Sequence, residues 1–257
     1  MPAQLTHPRL SRSLRLTKDR LMRILSSLIL LAALSVPALG WAAFSAVNPR
    51  LATLGQELRP KKVLLLPPQM FVAEMSAGGV IQKQDDWSRQ ASDNLLAATE
   101  HYARDSSQFD TMRMPALSPE ETEIVESHIG LYDRVASAIH AYGQGRDSGW
   151  EQKKREWDYT LGDGLAFLRA KTGADSALIF VGADIISSGG RKAAFTVGLL
   201  LGIAIPLGQS FITVGLADLT TGEIRWLSYD QSMSMDSREA DEVEALVRDF
   251  FKTYPQP

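Results

Sequence analysis

The chain contains no cysteine. That excludes disulfides, so an exported chain of this sequence depends on its apolar core for stability, and it excludes a lipid anchor on an N-terminal cysteine. Histidine is scarce: His7, His101, His128 and His140 are the only four. No two of them stand four apart. His128 and His140 fall near one helix face, but twelve residues make about 18 Å of helix, too far to share a metal. No metal or cofactor is expected. A G-x-S-x-G elbow and an S-x-x-K pair are absent, as are the G-x-x-x-x-G-K-[ST] and G-x-G-x-x-G phosphate loops. The chain reads as non-enzymatic.

One further absence is local. From Ala193 to Gly208 sixteen residues carry no charge, directly after the basic turn "SSGGRK". The glycines Gly189 and Gly190 read as a chain reversal after a strand, with Arg191 and Lys192 as solvated flanks. Three readings of the apolar run stand open: a buried connection between strands, a hairpin or helix used for self-association, and a membrane-contacting element. The run is too short for a regular span, since sixteen helical residues reach about 24 Å against a hydrocarbon core of about 30 Å. The "GLLLG" spacing suits close apolar approach. The candidate interaction or membrane-contact residues are Gly198, Leu199, Leu200, Leu201, Gly202, Ile203 and Ile205.

What is present begins with a leader. Six basic residues between Arg9 and Arg23 precede an apolar stretch, Ile24 to Val36, and then small residues up to Ala42. This is the layout of a cleavable secretory signal over residues 1–42, with Met1 and Met22 both eligible as the start. Its removal takes six of the 27 Lys and Arg and one of the 30 Asp and Glu, leaving 21 against 29. An acidic chain without a basic cluster is a poor nucleic-acid ligand. The expected location is the periplasm, and the expected organisation is a leader, an arm or linker over 43–61, and one domain over 62–257.

Periodicity sketches that domain as α+β with an α/β-like layout: a mixed sheet flanked by amphipathic helices, ending in a hairpin and a helix. Residues 44–60 read as a loop or arm. The unbroken run Val63–Leu66, closed by Pro67 and Pro68, reads as a central strand buried on both faces. One or two short strands surround Gly78 and Gly79. A helix from Asp86 carries Trp87, Ala91, Leu95, Ala98 and Tyr102 at core spacing. A short strand over 109–114 follows, and Ser118, Pro119 and Glu121 then form a capping box. The stripe assigned to that helix is Ile124, His128, Leu131, Val135, Ile139 and Tyr142. A third helix is expected from Trp150 to Thr172 with Trp157, Leu161, Leu165 and Leu168 inward. Strands at 176–184, 211–219 and 223–230 come next, the last two joined through Gly222 in a turn that needs a positive φ. Asp218 reads as turn support. A second box, Asp236 to Glu239, is expected to open the last helix.

The order "TGADSALIF", "SSGGR", an apolar Gly-rich segment, "GLADLTTGEIRW" and "DSREADEVEALVRDF" resembles uncharacterised exported proteobacterial proteins. Their layout is similar to the domain shared by the curli-secretion protein CsgG and the N-terminal region of TolB. The hairpin words are Asp218, Leu219, Thr221, Gly222, Ile224 and Trp226. The resemblance implies a fold more than an activity, and it implies service in envelope assemblies: secretion, export or transport accessories whose partners are envelope proteins or further copies. The competing expectation is a periplasmic ligand-binding, glycan-binding or hydrolytic domain, with Trp87, Trp150, Trp157 and Trp226 as stacking surface.

Overall fold

A computed structural model describes residues 44–53, 60–143, 156–233 and 235–254. The leader, its cleavage site and Trp150 lie outside the described residues.

The sheet is organised around one long strand. β6 (Ser176–Ser187) carries a different neighbour on each half of one edge. β2 (Lys62–Leu65) pairs with it in parallel near its start, with Leu64 opposite Ala177, and β3 (Gln69–Met75) pairs in parallel further on, with Gln69 opposite Val181. Pro67 and Pro68 make the break between the two. Lacking N–H groups, they cannot continue the ladder, so the chain steps off and resumes. The other edge of β6 pairs antiparallel with β7 (Gln209–Asp218), which pairs with β8 (Ile224–Ser232), which pairs with β1 (Phe44–Val47). β5 (Asp110–Arg113) lies outside β2, and β4 (Ile81–Lys83) folds back on β3. The sheet of eight strands is mixed and open.

Both faces are covered, which is why the apolar runs are unbroken. Val63, Leu65, Leu178, Phe180, Leu216 and Trp226 face one layer, built by α2 (Asp85–Ser106) and α6 (Ala240–Phe251). Leu64, Leu66, Ala177, Ile179 and Leu227 face the other, built by α3 (Pro119–Gly143), α4 (Ala166–Thr172) and the irregular chain before α4. The short α1 (Pro49–Thr53) follows β1, and α5 (Gly189–Leu200) joins β6 to β7. The fold is the expected α+β arrangement, with the hairpin and the helix at its C-terminal end.

Several local expectations are corrected. Residues 44–47 form an edge strand and 49–53 a helix, where a loop was expected. The capping box at Ser118 forms: its N–H donates to Glu121 Oε2 at 2.8 Å, and the Glu121 N–H donates to Ser118 Oγ at 3.2 Å. The stripe of α3 is set one residue later than expected over most of its length, through Val125, Ile129, Tyr132 and Ala136, and leaves Ile124 and Leu131 exposed, whereas Ile139 is buried as expected and Val135 is partly buried. Residues 156–165 are not helical. Gly162 takes φ +72°, and Thr160 bridges to Glu223 beside the β7–β8 turn, so among the described residues of this stretch Ala166–Thr172 alone winds. The box at Asp236 does not cap α6. Glu239 is the N-cap without a side-chain bond, and Asp236 instead pairs with Arg238 at 2.6 Å.

Candidate interaction surface

The apolar run is the connection between β6 and β7, and it leaves the sheet altogether. Ser188 caps α5 by accepting from the Arg191 N–H at 3.2 Å, so Gly189 and Gly190 begin a helix and are not a reversal. Arg191 is not a solvated flank either. Its guanidinium donates to the Pro206 carbonyl at 2.9 and 2.7 Å and to the Ala77 carbonyl at 3.4 Å, tying the returning chain and the β3–β4 turn to the root of α5. Lys192 is exposed.

Beyond that root the helix projects. Leu200 is 82% exposed and Leu201 69%, and Val197, Leu199 and Ile203 are also open, which overturns the reading as a buried connection. Gly198 is buried by its own chain: a Cβ there would lie 2.9 Å from the Ile203 carbonyl oxygen and from the end of Ile205. Gly202 makes the turn with φ +72°, and Ile205 is half-buried. On the way back Gly208 passes so close to β6 that a Cβ would stand 1.7 Å from the Ile185 oxygen, while its N–H donates to Ser187 Oγ at 2.8 Å.

Register brings other apolar residues to the same end of the sheet. Met75 lies opposite Ser187, so the β3–β4 turn with Val80 and Ile81 emerges beside α5, and Ser210 lies opposite Ser232, so Met233 emerges there too. Among the described residues, eight of the eleven exposed large apolar side chains stand at this end: Val80, Ile81, Val197, Leu199, Leu200, Leu201, Ile203 and Met233. Val80, Ile81 and Met233 were not singled out from sequence. The Gly78–Gly79 turn marks a hairpin but not what its tip displays.

Asp218, Gly222 and Trp226 lie toward the opposite end. Asp218 Oδ1 accepts from the Thr220 and Thr221 N–H groups at 2.7 and 2.8 Å, and its Oδ2 pairs with Arg225. Trp226 is fully buried, and its indole N–H donates to Thr253 Oγ1 at 3.3 Å. It has no face to offer a sugar. Trp87 is covered by Arg238 at 4.1 Å, and Trp157 donates to the Ile224 carbonyl from the other layer, so the three described tryptophans line no common cleft.

A cleft of about 220 Å³ between α2 and α6 holds His101, Asp105, Ser106, Glu244 and Arg248. Its composition invites a hydrolytic reading, and its geometry opposes one. His101 Nε2 lies 3.2 Å from Asp105 and Nδ1 3.4 Å from Glu244, so carboxylates occupy both ring nitrogens and neither is placed to take a proton from Ser106. Among the described residues no group of three His, Asp or Glu is placed to hold a metal ion. No helix among them is long and apolar enough to cross a membrane.

One buried carboxylate lies close to the apolar end. Asp184 in β6 is 1% exposed and accepts from the Ser237 N–H and hydroxyl at 2.8 and 2.7 Å, pinning the loop between β8 and α6. Burial pushes its pKa up; the Ser237 hydrogen bonds oppose this, Asp236 adds to it and Arg238 opposes it. With the folded pKa above the unfolded one, the native chain binds the extra proton, so this contribution to stability is full below the ordinary carboxylate pKa and is lost as pH rises through the raised one. Asp184→Asn is therefore expected to gain on the wild type as pH rises from about 3.5 to 7. Paired urea midpoints across that range check it, and a difference independent of pH would refute it.

The chain is similar in structure to a PelC dodecamer from Paraburkholderia phytofirmans, at 12% identity and a TM-score of 0.36 over 82% of this chain and 94% of that one. It is similar to the lipoprotein GNA1162 from Neisseria meningitidis, at 12% identity and 0.31 over 76% and 99%. It is also similar to the LpoB C-terminal domain from Salmonella enterica, at 12% identity and 0.25 over 74% and 96%. No protein-family model matches the chain, and no curated protein matches it in sequence. Overlaps this loose establish neither fold nor role, and the likeness to CsgG and TolB rests on sequence layout alone.

Proposed function

We propose that the protein is a non-enzymatic periplasmic accessory or scaffold of a cell-envelope assembly, acting through the apolar end of its sheet. The observation that carries this reading is the concentration of exposed Val, Leu, Ile and Met at that single end. A monomer that leaves so much contiguous apolar surface in water lowers its solubility, and such surface marks a binding face. The secretory layout of residues 1–42 supplies the compartment, and the resemblance in residues 173–250 supplies the class of role. Export uses the leader, and engagement uses the β6–β7 connection with the neighbouring β3–β4 turn.

The test is made in the native envelope. After mild detergent extraction, the protein is expected on a native gel as a discrete species well above the mass of one chain, and Ile81→Ser with Leu199→Ser is expected to return it to monomer mass. A wild type that runs as a lone chain would overturn the assembly reading.

A further inference from the structure

The build of the α5 tip indicates what covers it. A helix that docks in a protein groove presents a stripe, with anchors three and four residues apart. Here Leu199, Leu200 and Leu201 are consecutive and all exposed, as is Val197 before them. At 3.6 residues per turn they look out around most of the axis. Apolar surface around most of a helix suits a medium that is itself apolar on every side.

Three further features agree. The small-xxx-small spacing that would admit a second helix is used inside the chain, since Gly198 seats Ile203 and Ile205 and Gly202 makes the turn. The helix end is closed by its own backbone: the Leu201 N–H donates to the Val197 and Gly198 carbonyls, that of Gly202 to Leu199, and that of Ile203 to Gly198. Closure of this kind is what a helix end leaving water requires. The Thr196 hydroxyl is likewise returned to the Lys192 carbonyl at 3.1 Å. Finally, Ala193 to Leu200 reaches about 12 Å, within the roughly 15 Å depth of one leaflet and far short of a span. Lys192, exposed where the apolar stretch begins, stands at the depth of headgroup phosphates.

We propose that the tip from Val197 to Ile203 inserts into one leaflet of a phospholipid bilayer, with Lys192 at the headgroups. This names the surface met by the apolar end and so rests on the assembly reading for its context, yet the two can fail separately.

Because the chain has no cysteine, Ala204→Cys gives a single site beside the tip for the polarity-sensitive dye NBD. The labelled full chain is mixed with vesicles of phosphatidylethanolamine and phosphatidylglycerol, three to one. The dye is expected to shift to the blue and to become accessible to a quencher attached to the acyl chains. Leu200→Asp is expected to weaken that response at least tenfold while leaving the thermal midpoint unchanged, since Leu200 is exposed; Leu201→Ser serves should the first variant unfold. Reading the dye at position 204 separates the tip from any binding by the leader. An unshifted dye at saturating lipid would overturn the proposal, as would a response that Leu200→Asp leaves intact. A dye already blue-shifted before lipid is added, in a chain that scatters light as a defined oligomer, would replace the bilayer with a second copy and leave the scaffold reading standing. Lipid insertion by a chain that the native gel shows as a lone monomer would keep this inference and remove the assembly.

Discussion

Asp218→Ala is expected to destabilise the protein by about 3 to 5 kcal/mol, the range for removing one partner of a buried ion pair. The side chains of Asp218 and Arg225 are only 8% and 15% exposed. The carboxylate has two tasks on its two oxygens. Oδ1 holds the turn by accepting from the Thr220 and Thr221 N–H groups and from the Thr221 hydroxyl, and Oδ2 meets the guanidinium of Arg225, which also reaches Ser176 Oγ at 3.3 Å. Alanine leaves a guanidinium in a dry place and two turn amides without their acceptor. Asp218→Asn keeps the acceptor on Oδ1 and loses the charge, so it is expected to cost less than alanine. Pairing Asp218→Ala with Arg225→Met removes the buried charge that has lost this carboxylate and is expected to recover part of the loss. Urea midpoints of the three variants check the order; an alanine variant within about 1 kcal/mol of wild type would show that the pair contributes little net stability.

That corner was legible in sequence because its signals are local. Asp218 with Thr220, Thr221 and Gly222 just after it describes a turn whichever core it closes, and Ser118 with Glu121 describes a helix start. The run Val63–Leu66 was legible for another reason: four apolar residues closed by two prolines have no amphipathic alternative. The failures came where two registers were both apolar. In α3 Ile124 stands beside Val125 and Leu131 beside Tyr132, so a stripe could be drawn through either set. The choice was made by Gly215, whose missing Cβ gives Tyr132 its place on β7. Trp157, Leu161, Leu165 and Leu168 mimic helical spacing in a stretch where Tyr159 and Leu161 are buried two apart, as in extended chain, and Gly162 takes a left-handed turn.

The apolar end was half legible for a deeper reason. Composition marks Ala193–Gly208 as a segment that avoids water, but a strand buried in a core and a wedge waiting for a surface have the same composition. What separates them is the length of β6. Its twelve residues carry the chain past the core before α5 begins, so the leucines have no layer above or below them. Pairing of β3 on β6 and of β8 on β7 then brings Val80 and Ile81, more than a hundred residues earlier in sequence, and Met233 alongside, a juxtaposition that no local pattern encodes.

Gly222→Val is expected to cost about 2 to 6 kcal/mol, from two separate causes. Gly222 sits at φ +68°, where a β-branched residue is strained by about 1 to 3 kcal/mol. The second cause is contact. A Cβ on Gly222 would stand 2.0 Å from the carbonyl oxygen of Gly162 and 2.7 Å from its nitrogen, both backbone atoms that a rotamer change cannot move. The contact is held from both sides, since the Leu161 N–H donates to the Gly222 carbonyl at 2.9 Å and that of Ile224 to Tyr159 at 3.0 Å. Relief therefore requires the 156–165 segment to lift from the β7–β8 turn, which exposes Leu161 and Leu165 and adds overpacking of about 1 to 3 kcal/mol to the strain. The causes can be told apart. Gly222→Asn tolerates the positive φ better than valine but keeps the Cβ, so it removes strain and leaves contact. If the asparagine variant loses nearly as much of its denaturation midpoint as the valine variant, the approach of Gly162 is the dominant constraint; if it is close to wild type, the left-handed backbone alone excludes valine. A valine variant with an unchanged midpoint would mean that the turn does not pack against residues 159–162 at all.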